Sequence, residues 1–343
     1  MKKLRIGMIS PWKVRCGIYT YTENLVQGLV HAKGYNVEVY IIRLPRLGAL
    51  TEDILMNLYD NIPLNKIDLI HVQHEYGRYQ NLEGGFYGAL AKTGKPILTT
   101  MHATGNFSVD AVIASVSEKV IIHNQFMQRH FAYPHKTIII PHGCISAKCL
   151  PPGEARKVYG IPSNAKIVGY CGYISPTKGL ELLIDAMTQV KKVGLLVAGG
   201  WFTEGDTVYI NDLKKKSSDI LPGRCNWIGY VPDEELPAAY GAMDIVVYPP
   251  RYASESGALA MALSHGKAVI AAPLPPFKEK EDQRVLITFK DAYDLAKKIK
   301  YLLKNDQARK KLEKAAIHYV KRNSWNNIAL KHIKLYEQLV KKK

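Results

Sequence analysis

Short unbroken apolar runs alternate with stretches of helical periodicity along the first half of the chain. Leu4–Ser10 and Val37–Arg43 read as strands, with a helix near Ile18–His31 between them. Ile67–Val72, Pro96–Met101, Val120–His123 and Thr137–Pro141 continue the series. Runs of Ile, Val and Leu without polar alternation mark strands covered on both faces, so the pattern predicts an α/β fold with a parallel sheet. Cys149-Leu150-Pro151-Pro152-Gly153-Glu154 breaks both periodicities and is read as a linker. The alternation then restarts with a strand at Ile167–Cys171, a helix at Gly179–Val190, a strand at Gly194–Ala198 and another at Trp227–Tyr230. A helix at Asp233–Gly241, with Asp233 as its cap, follows. The expected domains are 1–150 and 151–323, with 324–343 a closing helical segment and Tyr319–Leu339 one long helix reaching back to the first domain.

The stretch Ala242–Ala271 condenses the pattern. Ile245–Tyr248 is an apolar run stopped by Pro249 and Pro250, and Gly257–Ser264 is small and apolar on every side, as a buried helix must be. Gly266 ends it, with Lys267 in the last turn where a cation suits the dipole. Strand, Ser-Gly loop, buried helix and strand form the unit that aims unsatisfied helix N–H groups at an anion. An ordinary crossover with Ser254 or Ser256 as N-cap has the same outline. Gly257 favours the ligand reading, because it lowers helix propensity by ~1 kcal/mol and leaves the backbone approachable. A second anion seat is Gly172–Gly179, where Lys178 stands before a helix at a strand's carboxyl end.

Ligands of parallel sheets collect at those carboxyl ends. In the first half the polar residues gather there too: Ser10 to Gly17, His74-Glu75-Tyr76-Gly77, His102-Ala103-Thr104-Gly105, His123-Asn124 and His142-Gly143. A lone histidine is by default a packing residue, but histidines ending four strands of one sheet are expected to converge on one cleft. His102, before a small flexible loop, is the best placed of them. Arg15-Cys16-Gly17-Ile18 is not Gly-x-Gly-x-x-Gly, which argues against a nicotinamide enzyme; no cofactor is expected.

Composition narrows the picture. The chain has 343 residues, 47% hydrophobic, enough for two cores. Five cysteines without a Cys-x-x-Cys pair argue for reduced thiols rather than a disulfide scaffold or zinc site. No apolar run approaches the ~18 residues of a membrane span, and the start reads as a strand rather than a signal peptide, so a cytoplasmic protein is expected. The net charge is +17, and Asp291–Lys343, with fifteen Lys or Arg against five Asp or Glu, supplies +10 of it. Arg43 and Arg46 add to it. Such an excess points to an anionic partner: a membrane face, a phosphorylated substrate or nucleic acid.

With those motifs in order, the chain resembles the retaining nucleotide-sugar glycosyltransferases of family four, of GT-B fold. The residues that carry it are Arg15–Ile18, His71–Gly77, Thr100-Met101-His102, Ile140–Gly143, Gly172–Gly179, Ile228–Leu236 and Ser256–Ile270. The resemblance implies two Rossmann-like domains with parallel sheets facing across a cleft, the nucleotide-sugar held by the second and the acceptor by the first. It implies a last helix crossing back, retention of configuration and no metal. By position, Gly17 approaches the donor phosphate, Lys178 pairs with the diphosphate, and Ser256, Gly257 and Ala258 offer it backbone N–H groups. His102 lies beside the transferred sugar, and His74, Glu75 and His123 fall on the acceptor side.

Two departures stand out. Tyr173 replaces the family's usual Arg, and its paired glutamates fall on Ala253 and Met261. Glu255, the nearest carboxylate, is expected to take part of their role, with Arg251 beside it for leaving-group charge. The expected reaction is transfer of a hexose from a nucleoside diphosphate sugar to a hydroxyl of a lipid-linked, glycan or phosphorylated acceptor at the inner membrane face. The alternatives are a nucleotide-sugar epimerase or hydrolase of the same fold, or a basic protein that binds or glucosylates DNA. No aromatic-interleaved basic motif supports nucleic acid.

Overall fold

The computed structural model describes residues 3–14, 16–44, 51–79, 82–201 and 205–341. Arg15, Arg46, Lys342 and Lys343 lie outside them. The chain divides into two units, Met1–Gly143 with Asn323–Lys343, and Cys144–Arg322.

The first unit runs β1 (Leu4–Pro11), α1 (Gly17–Val30), β2 (Val37–Leu44), α2 (Glu52–Asp60), β3 (Leu69–His74), α3 (Glu83–Lys92), β4 (Ile97–Met101), α4 (Asp110–Val116), β5 (Lys119–Ile122), α5 (Gln125–Arg129) and β6 (Thr137–Ile139). Its strands form one parallel sheet in the order β2-β1-β3-β4-β5-β6. Every residue of β3 and β4 is buried, which explains their lack of polar alternation. On α1, Tyr21, Leu25, Gly28 and Leu29 recur at helical spacing and face inward.

The second unit runs α6 (Pro152–Val158), β7 (Ile167–Cys171), α7 (Leu180–Met187), β8 (Gly194–Ala198), α8 (Asp206–Ile220), β9 (Cys225–Gly229), α9 (Leu236–Ala242), β10 (Ile245–Tyr248), α10 (Gly257–Ser264), β11 (Ala268–Ala271), α11 (Pro275–Asp282), β12 (Ile287–Thr288), α12 (Ala292–Lys304) and α13 (Asp306–Arg322). Its parallel sheet has the order β12-β11-β10-β7-β8-β9. In each sheet the first strand lies inside, β1 between β2 and β3, and β7 between β10 and β8. The chain therefore winds away from it in both directions. The switch points lie between β1 and β3 and between β7 and β10, and sheets of this kind take ligands at the carboxyl ends of the strands there.

The last helix, α14 (Trp325–Lys341), belongs to the first unit. Trp325, Ile328, Ile333, Tyr336 and Leu339 join Ile6, Leu25, Leu29 and Leu69 in one core. A single helix over Tyr319–Leu339 does not form. Asn323 and Ser324 interrupt it, Ser324 offering its Oγ to the Asn327 N–H at 3.4 Å and its carbonyl to that of Ile328 at 2.9 Å. Tyr319 ends up in the second unit.

Three smaller expectations also change. Asp233 makes no capping bond; it opens a 3₁₀ turn, Asp233–Glu235, and α9 begins with Pro237 in its first turn, where a missing N–H costs nothing. Lys267 is not in the last turn of α10, which ends at Ser264: its Nζ donates to the Met243 carbonyl at 2.7 Å, and burial lowers its pKa. The division falls at 143/144, ahead of the Pro-Pro-Gly stretch. The Ala147 and Leu150 N–H groups already bond Ser264 and Pro237 of the second unit, at 3.2 and 3.0 Å.

Candidate functional site

The two anion seats expected in the second half are one surface. The loop leaving β7 and the loop leaving β10 flank the sheet's switch point and are stitched together. The Arg251 N–H donates to the Thr177 carbonyl at 2.9 Å. Gly179, at φ 63°, lies so close to the Pro249 carbonyl that a Cβ would overlap it. A Cβ on Gly172 would stand 3.3 Å from that of Ala258. The Lys178 loop is thereby laid against the N-terminus of α10.

Ser256 caps that helix. Its Oγ accepts from the Leu259 N–H at 3.1 Å, and its carbonyl accepts from the Ala260 N–H at 3.0 Å. The Ser256 N–H is not left for a ligand, as the sequence reading expected, because it donates to Glu255 Oε1 at 3.0 Å. Among the described residues no acceptor meets the N–H groups of Gly257 and Ala258. A Cβ on Gly257 would meet nothing within 4 Å, so no neighbouring group demands glycine there. These two amides carry the positive end of the helix dipole.

Lys178 supplies a full charge to the same surface. It is partly buried, and its ammonium has no acidic partner or hydrogen-bond acceptor among the described residues. Burial alone lowers its pKa. A cation drawn out of water without a counter-charge is unfavourable, and an anion beside it would offset that cost. Arg251 is differently placed. Its side chain is 68% exposed and already pairs with Glu181 of α7, which also accepts from the Tyr209 hydroxyl. Tyr173 follows Gly172 on the same loop, its carbonyl accepting from the Tyr170 hydroxyl at 2.5 Å.

Glu255 does not face the seat as a ligand contact. Its side chain is 6% exposed, and both carboxylate oxygens accept from Lys280 Nζ of α11 at 2.9 Å, that side chain being 7% exposed. Glu255, a catalytic candidate by sequence, is instead held in a buried ion pair.

In the first unit, His102, His123 and His142 gather around the buried ring of Tyr21, with centroids at 4.8, 5.3 and 5.2 Å. His123 bonds the Ile140 carbonyl through Nδ1 at 3.0 Å. His74 does not join them. It stacks on Tyr79 at 4.8 Å, fully buried, and burial brings its pKa down to about 3. Glu75, next along, is partly exposed, and its side chain has no hydrogen bond or ion pair among the described residues. Gly17 begins α1 behind Cys16, and a Cβ there would meet nothing within 4 Å.

His102 ends a polar chain that the sequence reading missed. Its Nε2 lies 3.0 Å from Gln73 Oε1. The Gln73 amide nitrogen contacts His71 Nε2 at 3.3 Å; His71 reaches Thr100 Oγ1 at 2.8 Å and the Tyr336 hydroxyl of α14 at 2.7 Å. One assignment satisfies every contact: both imidazoles neutral, His102 donating through Nε2–H, and His71 through Nδ1–H. Burial, with the nearby imidazoles of His123 and His142, holds the His102 pKa well below its ordinary value. His102 then presents an unprotonated Nδ1. The sequence signal was His71 and Gln73, two polar residues at strand spacing inside an apolar run.

Comparison with known proteins places this geometry. Residues 153–319 match the sequence model of the family described as glycosyl transferases group 1. The D-inositol 3-phosphate glycosyltransferase of Corynebacterium efficiens is 27% identical over 223 residues, 60% of this chain and 52% of that protein, so the chain spans about half the length of that relative. The phosphatidyl-myo-inositol mannosyltransferase of Mycobacterium leprae is 25% identical over 97% of this chain and 96% of its own length. Among solved structures, Anabaena Alr3699/HepE in complex with UDP superposes with a TM-score of 0.79 at 19% identity, covering 98% of this chain and 100% of that one. That likeness fixes the fold as GT-B, two Rossmann-like units.

Proposed function

We propose that this chain, whose residues 153–319 match the family model of glycosyl transferases group 1, is a retaining glycosyltransferase. It moves a hexose from a nucleoside diphosphate sugar to a hydroxyl of a phosphate-bearing or lipid-linked acceptor. The observation that carries this reading is the unpaired Lys178 ammonium, on a loop packed against the N-terminus of α10 where the Gly257 and Ala258 amides are open, at the switch point of the second sheet. The UDP held by the fold relative from Anabaena supports a nucleotide donor.

In this reading the sugar C1–oxygen bond to the diphosphate breaks while Lys178 and the two amides take up the charge that gathers on the phosphate. The acceptor oxygen bonds C1 on the face the diphosphate leaves, and its proton passes to the departing phosphate oxygen. In the first unit His102 offers an unprotonated Nδ1 as an acceptor for a substrate hydroxyl, its ring held by Gln73. Protein groups meet the diphosphate charge, so activity is expected to survive EDTA.

Two observations support the acceptor class. The relatives' names carry inositol 3-phosphate and phosphatidyl-myo-inositol. On α12 and α13 the exposed residues include Lys297, Lys300, Lys304, Lys310, Lys314 and Lys321, and Tyr293, Tyr301 and Ile317 are exposed on the same two helices. A basic surface with aromatic residues suits an anionic membrane face. Among the described residues no helix is long and apolar enough to cross a membrane.

The test is a transfer assay with UDP-, GDP- and ADP-hexoses against inositol phosphates and phosphatidylinositol vesicles, with the product anomer read by NMR. Acceptor-dependent release of nucleotide with the donor's anomeric configuration supports the reading. Inversion, or release that no acceptor stimulates, contradicts it.

A further inference from the structure

We propose that Lys280 is a positioning residue for the diphosphate seat, acting through Glu255 on the two open amides of α10. The inference rests on the seat proposed above and concerns what aims it. Four contacts form a continuous path. Lys280 Nζ donates to both Glu255 oxygens at 2.9 Å, and Glu255 Oε1 accepts the Ser256 N–H at 3.0 Å. Ser256 then bonds Leu259 through its Oγ and Ala260 through its carbonyl. Of the helix's first four N–H groups, those of Leu259 and Ala260 are thus satisfied, and Gly257 and Ala258 are left pointing outward.

The ion pair is an unusual choice for stability alone. Both side chains are almost fully withdrawn from water, and a buried pair gains little over apolar residues of the same volume. What it does provide is direction. A carboxylate fixed by two bonds to Lys280 can hold the Ser256 amide in only one orientation, and that sets the peptide planes that follow. Lys280 itself is anchored on α11, where its carbonyl accepts the Val285 N–H at 3.0 Å. Cys144 and Tyr319 lie close enough to sense both charges, so the pair is walled in by the second unit's own core.

The test uses the full chain with UDP and inorganic pyrophosphate as probes, followed by calorimetric titration and thermal melting. The variants are Lys280→Met with Glu255→Leu, Glu255→Gln, Lys280→Arg and, as a control on the seat, Lys178→Ala. The apolar double variant should melt within a few degrees of the parent yet bind both probes ~tenfold more weakly, a change of ~1.4 kcal/mol. Lys280→Arg should recover most of that affinity, because it restores the charge-assisted bonds to Glu255. A folded double variant that binds UDP as tightly as the parent overturns the inference, even though Lys178→Ala still loses binding. If the double variant does not fold, Glu255→Gln decides. It keeps an acceptor for Ser256 but weakens the hold of Lys280, so reduced affinity supports positioning and unchanged affinity overturns it. A parent protein that binds neither probe overturns the seat and this inference with it.

Discussion

His102 and Gln73 stand side by side at the carboxyl ends of neighbouring strands, with His102 Nε2 3.0 Å from Gln73 Oε1. Gln73 is fully buried, so its amide is fixed by its neighbours and its oxygen dictates which nitrogen of His102 carries the proton. His102 is therefore expected as the neutral Nε2–H tautomer at pH 7, visible in its ring nitrogen shifts. His102→Ala should lower turnover ~10²-fold with the fold intact, and Gln73→Leu ~10-fold. A His102 that is doubly protonated at pH 7, or variants with parental turnover, would contradict the assignment.

Acid should loosen the first unit through its buried histidines. His74 and His332 titrate at about 3 and about 4 in the fold, and His71 lies well below its ordinary value, each because burial disfavours the charged ring. Unfolded histidine takes up a proton near ~6.5 while these stay neutral, so stability is complete above that pH and falls as pH drops toward the folded values. Each such ring costs up to ~1.4 kcal/mol per pH unit in that window. His74→Phe keeps the stacking on Tyr79 and removes the titration. Its urea midpoint relative to the parent should rise steadily between pH 6.5 and 4. A difference that does not vary with pH would show that His74 does not titrate this way.

The basic helices make a prediction about partners. The full chain should sediment with anionic vesicles and not with neutral ones, and salt should release it, because surface charge is screened within ~8 Å at physiological ionic strength. Changing Lys297, Lys300, Lys304, Lys310 and Lys314 to Gln should weaken that binding. Tight binding to duplex DNA without any vesicle binding would contradict the membrane reading and make DNA the acceptor to examine.

Legibility in the sequence followed how local each cause is. Ile167–Cys171, Gly194–Ala198, Ile245–Tyr248 and Gly257–Ser264 are observed as read, because a buried strand or helix writes its burial into adjacent residues. The limit at Asn323–Ser324 was legible as the start of a closing segment, but not as a helix end, since apolar periodicity runs through it and only the Ser324 cap marks it. Lys178 and Gly257 were visible as candidates because loop chemistry is local too. The fate of Glu255 was not. Its partner Lys280 lies 25 residues away, in a Pro-Pro-Phe-Lys-Glu-Lys stretch that reads as a solvated charged helix. His74 misled for the same reason, because the Tyr79 and Tyr87 rings that bury it are supplied by the tertiary fold.

The central claim is that Lys178 and the open end of α10 hold a nucleoside diphosphate, and titration of UDP, GDP and ADP into the parent chain and Lys178→Ala tests it most directly. The parent should bind at least one of the three, and Lys178→Ala should bind that nucleotide more weakly by ~1–3 kcal/mol, the scale of a charge-assisted contact. Equal affinity in the two proteins, or no binding of any of the three by the parent, would contradict it.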